Sequence, residues 1–293
     1  MIAPSLTPQR GPSPTLRVCA LYPELLNIYA DRGNLLVLAR RCAWRGIGFE
    51  LAGSSLGQPL RADAHDLFYI GGGQDRDQRL CAADLLETKR EALHAAAAAG
   101  ALVVGVCGGY QLLGHSYALQ DEEIEGVGLL DVRTVREPGA RLIGNIAIEV
   151  SPDVAGATAS RGAPGPREPP GDPGGSRART PEPQHAPEQR AAARARVLAG
   201  FENHGGRTYL GACARPLGRV LRGRGNDGRS GWEGARQGNT LGTYMHGPLL
   251  PKNSWFADWL IATAIGLDPG ELAPLDDALE REAHLSARRA AGV

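Results

Sequence analysis

The stretch VVGVCGGYQLLG, residues 103–114, runs a short apolar segment straight into a cysteine and two glycines. A continuous apolar run bounded by turn residues is the pattern of a strand covered on both faces. Gly105 and Gly109 stand two positions before and two after Cys107, which is G-x-C-x-G, the thiol form of the nucleophile elbow. Such a turn cramps the backbone of its central residue, and small residues at those two places let strand and helix approach each other. A helix starting directly after Cys107 aims its N-terminus at the sulfur, which favours thiolate and supplies oxyanion donors, the amide of Gly108 first. Cys107 is therefore read as a nucleophile and not as a small packed residue.

Upstream of this elbow the chain alternates strand and helix. TLRVCALYP (15–23) reads as a buried strand, and NLLVLARRCAWRGI (34–47) as a helix with Asn34 capping its first turn and Gly46 ending it. GFELAGSS (48–55) and HDLFYIGGGQD (65–75) read as strands, the second ending in a triple glycine. AADLLETKREALHAAAAAG (82–100) reads as an alanine-rich helix with Glu87, Glu91 and Lys89 on its polar side and Gly100 as its stop. GYQLLGHSYAL (109–119) reads as the helix behind the elbow strand. This alternation predicts an α/β fold, a mostly parallel sheet covered by helices on both faces.

After about residue 125 the texture becomes β-rich, with GLLDVRTV, RLIGNIAIEV, VLAGFENH and GRVLRG expected to extend or flank the same sheet. NSWFADWLIATAIGL (253–267) returns to helical spacing with Trp255, Trp259 and Ile265 along an apolar stripe. The expected organisation is one domain over 15–270, a disordered tail over 1–14, a disordered proline-rich insertion over 151–195 and a surface tail over 271–293. The insertion has almost no large apolar side chains with which to offset its ordering entropy.

Composition narrows the function. Lys plus Arg and Asp plus Glu balance at 32 each, so no net field draws nucleic acid or an anionic membrane. The five cysteines form no C-x-x-C pair, which fits reduced thiols in a cytoplasm and predicts no metal site. No segment offers some 18 uncharged apolar residues in a row, and the first fifteen residues lack an apolar signal core, so neither export nor a membrane span is expected. No G-x-x-x-x-G-K-[ST] phosphate loop occurs, so an ATP-dependent step would need another chain.

A cysteine nucleophile normally needs a base. Of seven histidines, His246 in TYMHGPLL and His204 in GFENHGGRT end apolar runs and precede glycine, where sheet sites collect. His246 is the favoured base and His204 the runner-up; His65, His94, His115, His185 and His284 read as surface or packing residues. The amides of the triple glycine, Gly72 and Gly73 among them, can turn toward an oxyanion.

Together GGGQD, GVCGGYQLLG, GFENHGGRT and GTYMHGP resemble the class I glutamine amidotransferases of the cobyric acid synthase-like branch, a flavodoxin-like fold. LYPELLNIYADRGNLLVLARR is most similar to the glutaminase subunits of lipid II isoglutaminyl synthases. The resemblance implies that Cys107 attacks the side-chain amide of L-glutamine, that His246 moves the protons, and that Gly108 and the triple glycine hold the oxyanion. It implies that Gln111 lines the glutamine pocket and that Arg141 binds the substrate, its α-carboxylate fitting the guanidinium fork. It further implies a heterodimer with a Mur-ligase-like synthase. That partner would hold ATP and Mg and amidate D-glutamate in lipid II, while this chain carries no cofactor. A corrin carboxylate as acceptor, and a catalytically silent module of the same fold, are the alternatives. Many class I enzymes carry an acid two positions after the histidine, where this chain has Pro248. That leaves a Cys/His dyad or an acid from the partner.

Overall fold

The computed structural model describes residues 13–28, 31–119, 122–155 and 196–293. The expected disorder of the N-terminal tail and of most of the insertion, and the reading of His185, therefore lie outside the described residues. The first half runs β1 (Thr15–Leu21), α1 (Arg32–Trp44), β2 (Gly48–Ser54), β3 (Leu67–Ile70), α2 (Asp75–Asp84), α3 (Arg90–Ala98), β4 (Leu102–Val106) and α4 (Gly108–Leu113). It continues through β5 (Ser116–Leu119), β6 (Glu122–Glu125), β7 (Val132–Arg136), β8 (Leu142–Val150) and the short α5 (Pro152–Ala155). The second half is β9 (Val197–His204), β10 (Gly206–Leu210), β11 (Gly218–Arg222), β12 (Trp232–Glu233), β13 (Ala235–Gln237), β14 (Thr240–Thr243), β15 (Met245–His246), α6 (Ser254–Ala264) and α7 (Ala278–Ala291).

A six-stranded sheet of order β13-β14-β4-β3-β1-β2 forms the centre, parallel except for the β13–β14 pair. Every residue of β3 and β4 is buried, as strands covered on both faces must be. Of the β-rich remainder only β13 and β14 extend this sheet, and the runs GLLDVRTV, RLIGNIAIEV, VLAGFENH and GRVLRG do not. The other strands form two further sheets, β10-β7-β5-β6 and β12-β11-β8-β9-β15, in which the β10–β7, β8–β9 and β11–β8 pairings join residues far apart in sequence.

Four local expectations change. The helix behind the elbow covers only α4, because Gly114 ends it and the chain turns at once into β5. Asn34 lies inside α1, where its side chain donates to Tyr69 Oη at 2.8 Å and accepts the Leu250 N–H at 2.8 Å. Lys89 sits on no polar face: a π-helical turn over Leu85–Lys89 between α2 and α3 swings it inward, where it is fully buried and paired with Asp84. The expected insertion starts late, since α5 is formed and Val154 is fully buried.

The C-terminal tail is tied down through α7. Buried Arg41 of α1 reaches Asp258 of α6 at 2.6 Å and Asp277, at the start of α7, at 2.8 Å. Bidentate pairs of this kind fix geometry as well as charge.

Candidate active site

Cys107 bridges β4 and α4 at φ 53° and ψ −104°, a backbone region L-residues enter only under constraint. Its N–H donates to the Thr243 carbonyl at 2.8 Å, and the next turn is held by Gly109 N–H to the Gly71 carbonyl at 3.0 Å. A Cβ on Gly109 would stand 2.2 Å from the Ile70 carbonyl oxygen, and one on Gly105 would stand 2.7 Å from the Gly109 oxygen. Both glycines are needed because the backbones touch.

The second sheet delivers the base. β14 ends at Thr243, the residue holding Cys107, and Tyr244 carries the chain across to β15, which pairs His246 with Phe201 of β9. His246 is fully buried, and its Nδ1 faces Asp31 Oδ1 at 3.4 Å. Burial opposes its charge, but the Asp31 carboxylate and the Cys107 sulfur outweigh burial and push the pKa up to about 10.

Asp31 answers the question left by Pro248. It occupies the N-cap position of α1, yet its carboxylate caps nothing in that helix. Asn27 Oδ1 takes the Arg32 N–H at 2.8 Å instead, while Asp31 Oδ2 accepts the Gly72 N–H at 2.9 Å and Oδ1 turns to His246. The carboxylate facing the histidine thus comes from this chain, and the expectation of a bare dyad or a partner's acid gives way to it. The Pro248 ring packs instead where a Cβ on Gly33 would meet it at 2.7 Å. The signal was present in the sequence as the acid of ADRGN, but 215 residues separate it from His246.

Cys107 opens into a cavity of about 90 Å³ lined by Gly73, Gln111, Arg141 and His204 among others. A larger concavity, about 430 Å³ along β1 and β2, holds none of these residues. Gly108 is the first residue of α4, where an N–H has no partner within the helix. Gly73 borders the cavity, but the Gly72 amide, expected to serve an oxyanion, is spent on Asp31. Gln111 Oε1 accepts from Gln78 Nε2 at 3.0 Å, and its Nε2 donates to Tyr244 Oη at 3.2 Å. Arg141, just before β8, sits at the rim with Nε on Asn203 Oδ1 at 3.0 Å and Nη2 on the Asn203 carbonyl at 3.1 Å.

His204 reaches the same cavity, in a different role from His246. Its ring lies flat on Tyr244 at 3.6 Å, and burial drives its pKa down to about 3. Among the described residues no carboxylate bonds to it; Nδ1 faces the Gly206 carbonyl at 2.9 Å. His65, His94, His115 and His284 do not line the cavity, and the last three bond to Val127, Asp131 and Lys252 respectively. Gln78 and Tyr244 went unnoticed in the sequence, since neither residue type marks a site by itself.

Residues 17–254 match the family model of the CobB/CobQ-like glutamine amidotransferase domain. The chain belongs to that family. This amidotransferase is 34% identical over 242 residues to the subunit GatD of the glutamine-hydrolysing lipid II isoglutaminyl synthase of Staphylococcus aureus, covering 82% of the chain and 81% of the relative. The corresponding GatD of Streptococcus pneumoniae is 30% identical over 287 residues, covering 96% of the amidotransferase and 94% of the relative. A cobyric acid synthase from Cereibacter sphaeroides is 32% identical over 154 residues, half of the amidotransferase and 22% of that longer protein.

Proposed function

We propose that this chain is the glutaminase subunit of a lipid II isoglutaminyl synthase, a GatD. It would hydrolyse L-glutamine to glutamate and ammonia and pass the ammonia to a Mur-ligase-like partner, MurT, in a heterodimer. The observation that carries this reading is the series Cys107, His246, Asp31 at a G-x-C-x-G elbow, together with a match over nearly the full length of a GatD.

In the reaction, the Cys107 sulfur attacks the side-chain carbonyl carbon of glutamine, and the oxygen takes the displaced electron pair. The N–H groups of Gly108 and Gly73 hold that oxyanion. His246, protonated at neutral pH because of its raised pKa, gives its proton to the departing nitrogen, and ammonia leaves a γ-glutamyl thioester. The now neutral His246 takes a proton from water as it attacks the thioester, and glutamate leaves with the Cys107 thiolate restored beside an imidazolium. Asp31 acts through His246, fixing the tautomer and orientation of the ring. Arg141 takes the α-carboxylate of glutamine at the rim, and Gln111, fixed by Gln78 and Tyr244, shapes the pocket wall.

The partner would bind ATP and Mg and activate the α-carboxyl of D-glutamate in the stem peptide, which ammonia converts to D-isoglutamine. Lipid II would be met only through that partner. The chain would act in the cytoplasm: its five thiols are all free, and no described helix is long and apolar enough to cross a membrane. A corrin acceptor is less favoured, because the cobyric acid synthase match spans only 22% of that protein.

The test is co-expression with the Mur-ligase-like partner, followed by glutamate release from glutamine and amidation of lipid II. Both are expected in the parent complex and neither in Cys107→Ala. Glutamate release that survives in Cys107→Ala overturns the nucleophile, and corrin amidation without lipid II amidation overturns the acceptor.

A further inference from the structure

His204 is 2% exposed, and its two ring nitrogens are not equivalent. Nδ1 faces the Gly206 carbonyl at 2.9 Å, and a carbonyl can only accept, so Nδ1 carries the proton. Nε2 is then a bare lone pair. It is buried and has no hydrogen-bond partner among the described residues. The ring cannot turn away to find one, because its face lies on Tyr244 with an interplanar angle of 4°. Tyr244 is itself fixed by Thr208 at 2.6 Å and by Gln111.

A buried acceptor without a donor is costly, and natural folds rarely keep one without use. This one lines the cavity into which Cys107 opens. Arg141 lines the same cavity, and the charges of both Arg141 and His246 bear on the ring. A second buried atom without a described partner, Tyr117 Oη, belongs to the same cavity wall. The cavity is thus short of polar partners that a ligand would supply.

We infer that His204 is a specificity-determining residue, its Nε2 lone pair accepting an N–H of the bound glutamine. The inference rests on the glutaminase reading above and deepens it. Glutamine brings N–H donors at its ammonium and at its carboxamide, and either satisfies the lone pair. An oxygen placed at the same point sets lone pair against lone pair. With Nδ1 locked on Gly206 and burial keeping the ring neutral, Nε2 has no proton with which to accommodate it. The residue therefore filters on hydrogen-bond polarity, whereas His246 does the proton transfer.

The experiment uses the full chain with its partner. His204→Phe keeps a flat ring against Tyr244 and removes the acceptor. Its KM for glutamine is expected to rise about 10- to 100-fold with kcat within about threefold of the parent. The rate of Cys107 alkylation by iodoacetamide should stay unchanged. L-glutamate γ-methyl ester, which keeps the ammonium and lacks the carboxamide N–H, separates the two donors. A KM penalty that persists with the ester assigns the ammonium, and one that disappears assigns the carboxamide. A KM for glutamine within threefold of the parent, or a fall in kcat at unchanged KM, overturns the inference while leaving the glutaminase reading intact. A parent complex that releases no glutamate overturns both. Should His204→Phe fail to fold, nitrogen-15 spectra of Cys107→Ala decide: the Nε2 resonance should move when glutamine is added, and a resonance that stays put overturns the inference.

Discussion

Replacing Asp31 by asparagine changes one oxygen to NH2 at nearly constant volume, and its effect follows from two distances. Gly72 N–H points at Oδ2 from 2.9 Å, and His246 Nδ1 faces Oδ1 at 3.4 Å. In Asp31→Asn the Gly72 N–H still requires an acceptor, so the remaining oxygen stays with Gly72 and the new NH2 turns to His246. An NH2 donates, so Nδ1 must present its lone pair and the ring proton moves to Nε2, the nitrogen left for Cys107. An imidazolium can then no longer form, since Nδ1 must stay bare, and the neutral ring has no lone pair at Nε2 with which to take a proton from the water that attacks the thioester. A wrong tautomer of this kind lowers the rate about 10²–10⁴-fold, equivalent to about 3–5 kcal/mol in the barrier. Asp31→Ala removes the carboxylate without installing a donor, so its loss should be smaller, about 10–10²-fold. The assay is glutamate release at saturating and limiting glutamine from pH 6 to 10.5. In the parent, the imidazolium persists below its raised pKa and is lost as pH rises through about 10. Without Asp31 the basic limb should move to lower pH, because burial is then opposed by Cys107 alone. Activity of Asp31→Asn within threefold of the parent, or greater loss in Asp31→Ala than in Asp31→Asn, refutes the reasoning.

Three further outcomes are expected. Cys107→Gly should be about 1–2 kcal/mol more stable than Cys107→Ala in urea unfolding, because glycine occupies φ 53° and ψ −104° without strain; equal stabilities would mean the elbow stores none. Lys89→Met should cost about 3–5 kcal/mol in the same measurement, since Asp84 would keep its bonds from Tyr22 and Gly57 but lose the buried cation beside it. Glu233 is fully buried, and burial pushes its carboxyl up to about 8, so the folded state holds that proton more tightly than the unfolded chain. The stability it contributes is present below its ordinary value of 4.5 and is lost as pH rises through about 8. Urea midpoints of the parent should fall across that window, and Glu233→Gln should flatten the fall; an equal slope in the variant would discount the group.

What could be read from the sequence was what local chemistry dictates. The elbow is legible because steric contact forces glycine at positions 105 and 109, and β3 and β4 are legible because burial on both faces demands unbroken apolar runs. His246 is legible as the end of a strand before a glycine. The remainder depends on which distant segments meet. Asp31 lies in a loop whose only local cue is that of a helix cap, and its carboxylate is claimed by Gly72 and His246 instead. Lys89 follows helical spacing to the solvent side until one π-helical turn rotates it inward. The strands from β5 onward carry ordinary alternation, which gives each its inward face but not its neighbour. Separate sheets and a single extended one are then indistinguishable.

The crossing at Tyr244 sets a tolerance on the whole molecule. Thr243 grips the nucleophile's backbone from the central sheet, and three residues further along the base is already stitched into the five-stranded one. Nucleophile and base therefore ride on two different slabs joined by a peptide linkage too short to take up slack. Any sliding of one slab past the other appears undiminished as a change in the gap between sulfur and imidazole. An event that shears the two sheets, even far from the pocket, thereby throttles turnover without touching a single group that meets the substrate.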